Sequence, residues 1–493
     1  EATFGALILI NPGPEEFKCK ILSVMLDLTG RQIGGRCKEL FSRLNLKLPA
    51  FSLLMLHTGL VGNTERKGIL EDLTLRGLLQ DSTDQTALQE RLEQGPITLY
   101  CGFDPTADSL HLGHLVPLLT LRRFQDAGHR PIALAGGATG MVGDPSGRSE
   151  ERNLLDQNEL SSNVAAVAAQ LESFLSFDAE SKKKGIAALL VDNREWTVEV
   201  NVLDFLRDVG KHVTVGTMLS KESVKTRLAS EQGLSFTEFS YMLLQANDFF
   251  ELHKNYECEM QIGGSDQWGN ITAGIDMIRR RSSAIAYGLT VPLVTRSDGA
   301  KFGKTAEGTV WLDSKRTLPY ELHQYLINVD DRDVEKLLLQ LTLVSVSEIS
   351  ELMLDHRKSP EDRSAQQRLA TEVCRLVHGD EEAEQALLAT QGLFGSKSNS
   401  EDSLEALRGI VPETEVRASD LKQGEESLID VLVLSGLCSS RGDARRTIAA
   451  GGISVNGDRQ ATDAVSLPND LLLNGDYVLI QKGKKNRHLL VIV

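Results

Sequence analysis

Ile97-Thr98-Leu99-Tyr100-Cys101-Gly102-Phe103-Asp104-Pro105-Thr106, followed shortly by His111-Leu112-Gly113-His114, is the stretch on which the fold turns. The apolar run at 97–100 reads as a strand, and the Gly, Asp and Pro after it read as the turn that ends it. Over 114–124, Leu115, Leu118, Leu119 and Leu121 recur at roughly helical spacing. Ala127-Gly128 stops that helix, and 131–135 reads as the next strand. Strand, helix and strand make a βαβ unit. Downstream, 186–191 and 290–294 read as strands, 236–249 as a helix, and Met260-Gln261-Ile262 as a strand edge before Gly263-Gly264. This alternation predicts a parallel sheet covered by helices on both faces.

A chain of 493 residues exceeds the ~250–300 residues at which single cores stop growing, so several domains are expected. The α/β pattern occupies 67–318. Residues 319–395 are helical in pattern, as in Val334-Glu335-Lys336-Leu337-Leu338-Leu339, and predict a small α domain. The Ser-, Glu- and Asp-rich segment 396–426 reads as a linker with one short helix. A last unit, 427–493, carries helices over 427–436 and 440–450 and then Asn456-Gly457, the mark of a tight hairpin. Residues 1–66 receive no assignment.

Apolar content of 41% with 25% charged residues excludes global disorder and low complexity. The formal charge of −16 excludes a chain coated in basic groups and leaves room for a local basic patch. One such patch exists. From Gly436 onward eight Lys and Arg face five Asp, or +3, so the rest of the chain carries −19. Six scattered cysteines without a C-x-x-C pair suggest neither a disulfide framework nor a zinc knuckle, and a reducing cytoplasm is the simplest compartment. The longest apolar stretch, 53–60, is interrupted by His57 and Thr58 and is too short to span a membrane.

His111-Leu112-Gly113-His114 lies where strand and turn pass into a helix, so two imidazoles and helix N-terminal amides can face one anion. Metal ligation and ordinary surface polarity are the other readings of two such histidines. Lys301-Phe302-Gly303-Lys304-Thr305 places two ammonium groups and a hydroxyl beside a glycine, as a polyphosphate-covering loop or a solvated Lys-rich hairpin would. Gly136-Gly137-Ala138-Thr139-Gly140 is neither G-x-G-x-x-G nor a Walker loop, and it says only that backbone packs closely there. The histidine and lysine elements together resemble the signatures of class I aminoacyl-tRNA synthetases in their tyrosyl form. Residues 100–152, Tyr241-Met242-Leu243-Leu244-Gln245-Ala246-Asn247-Asp248 and Gln261-Ile262-Gly263-Gly264-Ser265-Asp266-Gln267-Trp268-Gly269-Asn270 resemble that family too, in order and at its spacing. The resemblance covers 68–493; residues 1–66 match nothing in the family.

The resemblance implies a Rossmann-like catalytic domain, an α-helical anticodon-binding domain and an S4-like RNA-binding domain. It implies activation of L-tyrosine by ATP, with release of pyrophosphate, and transfer of tyrosine to the 3′ end of tRNA(Tyr). Thr106 and His111 would then contact the γ-phosphate end. Lys301, Lys304 and Thr305 would close on the pyrophosphate, and Arg148 and Arg152 fall at basic positions associated with it. Cys101, Gly102, Asp104, His114 and Asp266 would hold the rest of ATP, the ribose above all. Tyr100 and Asp248 would read the phenol of tyrosine, and phenylalanine would leave both unpaired. Tyr241, Gln245 and Asp144 would bind the ammonium, with Gln261 and Gln267 lining the same pocket. Mg²⁺ is expected with ATP, without a dedicated carboxylate cage and with no tightly bound cofactor. Arg441, Arg445, Arg446, Lys484 and Lys485 are the candidate RNA contacts. A homodimer without a membrane partner is expected, cytoplasmic, with an organellar matrix left open by residues 1–66. A tryptophanyl-tRNA synthetase, another nucleotidyltransferase and a catalytically idle RNA-binding scaffold are the competing readings.

Overall fold

The computed structural model describes residues 68–146, 156–229, 233–305, 308–394, 401–417, 427–464, 466–467, 476–483 and 486–493. The unassigned segment 1–66, with its apolar run 53–60, lies outside the described residues.

The predicted βαβ unit is present. Strand β2 (Thr98–Phe103), helix α1 (Leu115–Asp126) and strand β3 (Arg130–Ala135) follow in order. Strands β4 (Leu189–Asp192), β5 (Cys258–Gly264) and β6 (Tyr287–Val291) complete five parallel strands, and the short β1 (Asp81–Ser82) adds an antiparallel edge beside β6. The order is β1-β6-β5-β2-β3-β4, so direction of travel reverses between β2 and β5. A crevice opens outside the carboxyl ends of strands at such a reversal.

Side chains of β2 alternate between two cores, as a strand buried on both faces must. Leu99, Cys101 and Phe103 join the cluster built around α1, whereas Tyr100 joins the opposite cluster with Phe249 and Met277. Those two residues lie on α3 (Phe236–Tyr256) and α4 (Trp268–Ser282), while α2 (Gln157–Phe174) covers the α1 side. Strand β6 ends three residues earlier than the 290–294 reading because Pro292 follows and has no N–H to extend the ladder. Helix α3 runs seven residues past 249. Its second half keeps burying Phe250 and Leu252, and it ends only where Glu257 turns left-handed at φ 55°.

Residues 319–394 form helices α5 (Pro319–Ile327), α6 (Asp331–Leu341), α7 (Val346–His356), α8 (Ser364–His378) and α9 (Asp380–Phe394). Leu322, Leu337 and Leu369 belong to the same apolar cluster as α1, so sheet and helices share one core. The buried Arg123 on α1 donates to the Leu339 and Thr342 carbonyls and ties α1 to the end of α6.

The segment 396–426, read as a linker, requires a correction. The expected short helix is α10 (Glu401–Glu405), but the segment also contains strand β9 (Glu413–Val416), which pairs in parallel with β13 (Asn486–Ile492). Its polar composition hid the strand, since only Val416 of the four β9 residues is buried. The C-terminal sheet has the order β11-β10-β12-β13-β9, built from β10 (Ile453–Val455), β11 (Asp458–Arg459), β12 (Tyr477–Lys482) and β13 (Asn486–Ile492). Helices α11 (Ser427–Leu434) and α12 (Arg441–Ala449) pack on it. The predicted hairpin joins β10 to β11, with Asn456 and Gly457 both at positive φ. Leu479, Leu489 and Val491 of this sheet pack with Ala389 and Leu393 of α9, and Arg487 donates to the Leu393 carbonyl at 3.1 Å.

Candidate active site

A cavity of about 700 Å³ opens at the reversal between β2 and β5. Sixteen of the side chains and backbone positions singled out in the sequence line it. They are Tyr100, Cys101, Gly102, Asp104, Thr106, His111, His114, Asp144, Tyr241, Gln245, Asp248, Gln261, Asp266, Gln267, Lys301 and Lys304. Thr305 closes the short strand β7 (Lys304–Thr305), which pairs with β8 (Gly308–Thr309). Arg148, Arg152, Lys484 and Lys485 lie outside the described residues.

At the phosphate-facing end, His111 Nδ1 accepts the Gly113 amide and His114 Nδ1 accepts the His111 amide, both at 3.1 Å. An imidazole that accepts at Nδ1 carries its proton at Nε2, so each neutral ring offers an N–H donor at its far nitrogen. The rings stack, with centroids 3.8 Å apart and planes inclined by 20°. A Cβ on Gly113 would lie 3.0 Å from His111 Cε1, so a larger residue would push the imidazole aside. An isolated bridge between His111 and Trp311 and the bond from Leu112 N to Val310 O bring the lysine loop's far arm onto this turn.

The opposite end is acidic. Tyr241, Gln245 and Asp248 sit at i, i+4 and i+7 on α3 and therefore share one face. Tyr241 Oη donates to Asp104 Oδ2 at 2.8 Å, and Thr139 Oγ1 donates to Asp104 Oδ1 at 2.8 Å. Gln267 Nε2 donates to Asp144 Oδ2 at 2.6 Å, and Asn270 Nδ2 donates to both Gln245 and Gln267. Burial, then the nearby Asp144 charge, raises the Asp266 carboxyl above its usual range, while Lys301 pulls the other way. Burial pushes the Cys101 thiol up to about 12, so it meets a ligand uncharged.

Tyr100 and Gln261 are register partners on β2 and β5, buried side by side. Tyr100 Oη and Gln261 Oε1 have no hydrogen-bond partner in the protein. Buried polar atoms without partners are costly, so this pair marks where a ligand's polar groups would be satisfied. Burial and the Asp248 charge hold the Tyr100 phenol well above its ordinary value.

Asp248 has a support that sequence reading missed. Asn193 Nδ2 donates to its Oδ2 at 3.0 Å and Trp196 Nε1 to its Oδ1 at 2.9 Å. Asn193 is fully buried, also donates to Thr139 and accepts the Ala138 amide, so it links the second glycine-rich turn to the carboxylate. Its signal was its place one residue past β4, at the carboxyl end of a parallel strand, where ligand-facing groups collect. Burial raises Asp248 from 3.8 to about 7, with the Asn193 and Trp196 bonds opposing that rise. Between those two values the unfolded chain is ionised while the folded site is protonated. This carboxyl's contribution to stability is therefore complete below pH 4 and is lost as pH rises to about 7. Asp248→Asn removes that dependence. The melting temperature of the variant relative to the parent is expected to climb by at least ~2 °C between pH 4 and pH 8, measured by scanning calorimetry; a flat difference would place the ionisation elsewhere.

Comparison with known proteins gives this geometry its family. A model described as tRNA synthetases class I (W and Y) matches residues 92–395. A second, the Tyrosine--tRNA ligase SYY-like C-terminal domain, matches residues 406–490. The chain is 52% identical over 427 residues to the Tyrosine--tRNA ligase of Opitutus terrae, covering 86% of this chain and 100% of that one. It is 47% identical over 400 residues to that of Geobacillus stearothermophilus, covering 81% and 93%. Among solved structures, a C-terminally truncated mitochondrial tyrosyl-tRNA synthetase of Aspergillus nidulans superposes with a TM-score of 0.60 at 33% identity, covering 67% of this chain and 95% of that one. With its catalytic and C-terminal parts matched alike, the chain belongs to the tyrosyl-tRNA synthetases, the tyrosine branch of the class I aminoacyl-tRNA synthetases.

Proposed function

We propose that the chain ligates tyrosine to tRNA(Tyr) in this cavity by two displacements. In the first, a carboxylate oxygen of tyrosine bonds to the α-phosphorus of ATP and the bond to the β-phosphate oxygen breaks, releasing pyrophosphate. In the second, a hydroxyl of the terminal ribose of the tRNA attacks the activated carbonyl and AMP leaves. No covalent bond to the protein is needed, so catalysis consists of positioning and charge stabilisation.

The observation that carries this reading is the polarity of the cavity. Carboxylates Asp104, Asp144, Asp248 and Asp266 line it together with His111, His114, Lys301 and Lys304. An amino acid's ammonium suits the first group and a polyphosphate the second. The phenol of tyrosine fits the partnerless Tyr100 and Gln261 atoms and the Asp248 carboxyl, while Tyr241, Gln245 and Asp144 take the ammonium end, with Gln267 donating to Asp144. Cys101, Gly102, His114 and Asp266 take the ribose, and Thr106, His111, Lys301, Lys304 and Thr305 take the phosphates. Arg148 and Arg152 keep their reading as pyrophosphate contacts. Mg²⁺ is read as arriving on ATP, held mostly by phosphates and water. Lys301→Ala and Lys304→Ala should each lower kcat of tyrosine-dependent ATP–pyrophosphate exchange by about 10- to 1000-fold while tyrosine affinity stays within about twofold. Equal losses in both would remove the lysines from the transition state.

RNA binding is assigned to the S4-like C-terminal unit. Helix α12 presents the exposed Arg441, Arg445 and Arg446, with Arg441 paired to Asp430 and Arg446 3.8 Å from Asp443. Arg445→Glu with Arg446→Glu is expected to cut tRNA charging about tenfold or more at 0.15 M salt and to leave pyrophosphate exchange intact. Exchange falling in parallel would argue for a folding defect instead.

Dimerisation is supported by an unusual concentration of exposed apolar residues over 198–236. Val198, Val202, Leu203 and Phe236 are the most exposed of them, Phe236 at 79%. Apolar surface of this kind marks an interface, and a second copy of the chain is the occupant we assign. Phe236→Asp should yield a monomer in sedimentation velocity; a parent chain that is itself monomeric would end the assignment. The cytoplasmic reading rests on the four cysteines of the described residues, all free thiols. No helix among those residues is long and apolar enough to cross a membrane.

A further inference from the structure

The lysine loop is held from behind by the helical domain. Residues 295–301 form a tight turn closed by the bridge between Thr295 and Lys301 and by Arg296 N donating to Ala300 O. Asp333 on α6 accepts from Ser297 N at 3.0 Å and from Ser297 Oγ at 3.2 Å, and Lys336 Nζ donates to the Thr295 carbonyl at 2.5 Å. These bonds fix the near arm.

The far arm depends on Gly303. It lies between the two lysines, is buried, and takes φ +81°. A Cβ there would sit 3.1 Å from Leu112 Cβ, so the loop's turn is seated directly on the His111–His114 turn. Its carbonyl accepts Val310 N at 2.9 Å, and its amide donates to Tyr325 Oη of α5 at 2.8 Å. The Tyr325 ring packs on the buried Phe302, with centroids 5.2 Å apart.

We propose that Tyr325 is a positioning residue for this loop: by accepting the Gly303 amide, its hydroxyl holds Lys301 and Lys304 at the cavity. The proposal rests on the reading of those lysines as phosphate contacts. Without the hydroxyl a buried amide loses its acceptor, and the loop satisfies it only by shifting toward water. Both lysines move with it. The ring stays, because Phe keeps the contact with Phe302.

The test compares Tyr325→Phe, Lys304→Ala and the double variant in the full chain. Tyr325→Phe should lower kcat of tyrosine-dependent ATP–pyrophosphate exchange about three- to tenfold, with tyrosine affinity by equilibrium dialysis and melting temperature unchanged. Because Tyr325 acts through both lysines, the loss in the double variant should be smaller than the product of the two single losses. An unchanged kcat, a multiplicative loss in the double variant, or a loss matched by weaker tyrosine binding or a lower melting temperature overturns the proposal. If Lys304→Ala itself leaves kcat untouched, the phosphate reading of the loop falls and the role of Tyr325 with it. If Lys304→Ala is slow and Tyr325→Phe is not, only the role of Tyr325 falls.

Discussion

Everything in the catalytic half follows from one topological constraint, the reversal of strand order between β2 and β5. Crossovers that leave a central pair of strands in opposite directions put their helices on opposite faces, so the carboxyl ends of those two strands cannot both be covered. The uncovered gap collects Tyr100 to Asp104 from one strand and Gln261 to Asp266 from the other. Groups 161 residues apart in sequence become register neighbours there, as Tyr100 and Gln261 are. Helix α3 then needs only correct rotation to add three side chains on one face.

Within the gap, neutral side chains serve several of the carboxyl groups. Burying a carboxylate is expensive, and neutral donors serve these groups: Asn193 and Trp196 for the buried Asp248, Gln267 for the buried Asp144, and Tyr241 and Thr139 for the half-buried Asp104. Neutral donors satisfy the carboxyl oxygens without adding a charge of their own. On the other side, backbone amides occupy the Nδ1 atoms of both histidines.

Much of this was legible in the residues themselves. The βαβ unit announced itself through helical leucine spacing and a Gly/Pro-rich turn, and the histidine and lysine elements are short, local and dense in unusual residue types. Sixteen positions that the resemblance to the family singled out line one cavity. What could not be read was whatever depends on a distant partner. Asn193 is an unremarkable amide until β4 carries it beside Asp248, and Tyr325 looks like one more aromatic on an amphipathic helix until its hydroxyl meets the Gly303 amide. Strand β9 escaped because its alternation is mostly polar and its pairing partner, β13, lies some seventy-five residues away, as in Leu489 opposite Glu413.

The shared packing of α9 with β12 and β13 has a consequence for how RNA would be gripped. Leu393 and Ala389 on one side and Leu479, Leu489 and Val491 on the other form a single apolar cluster, and β9 is stitched into the same sheet. The C-terminal unit is therefore mounted on the helical domain, not tethered to it. A tether would make the second of two RNA contacts compete against the entropy of a searching chain, with an effective concentration diluted by linker length. A mount removes that dilution and replaces it with selectivity. Two contacts at fixed separation act as a gauge, rewarding only a nucleic acid whose own rigid shape spans the same distance.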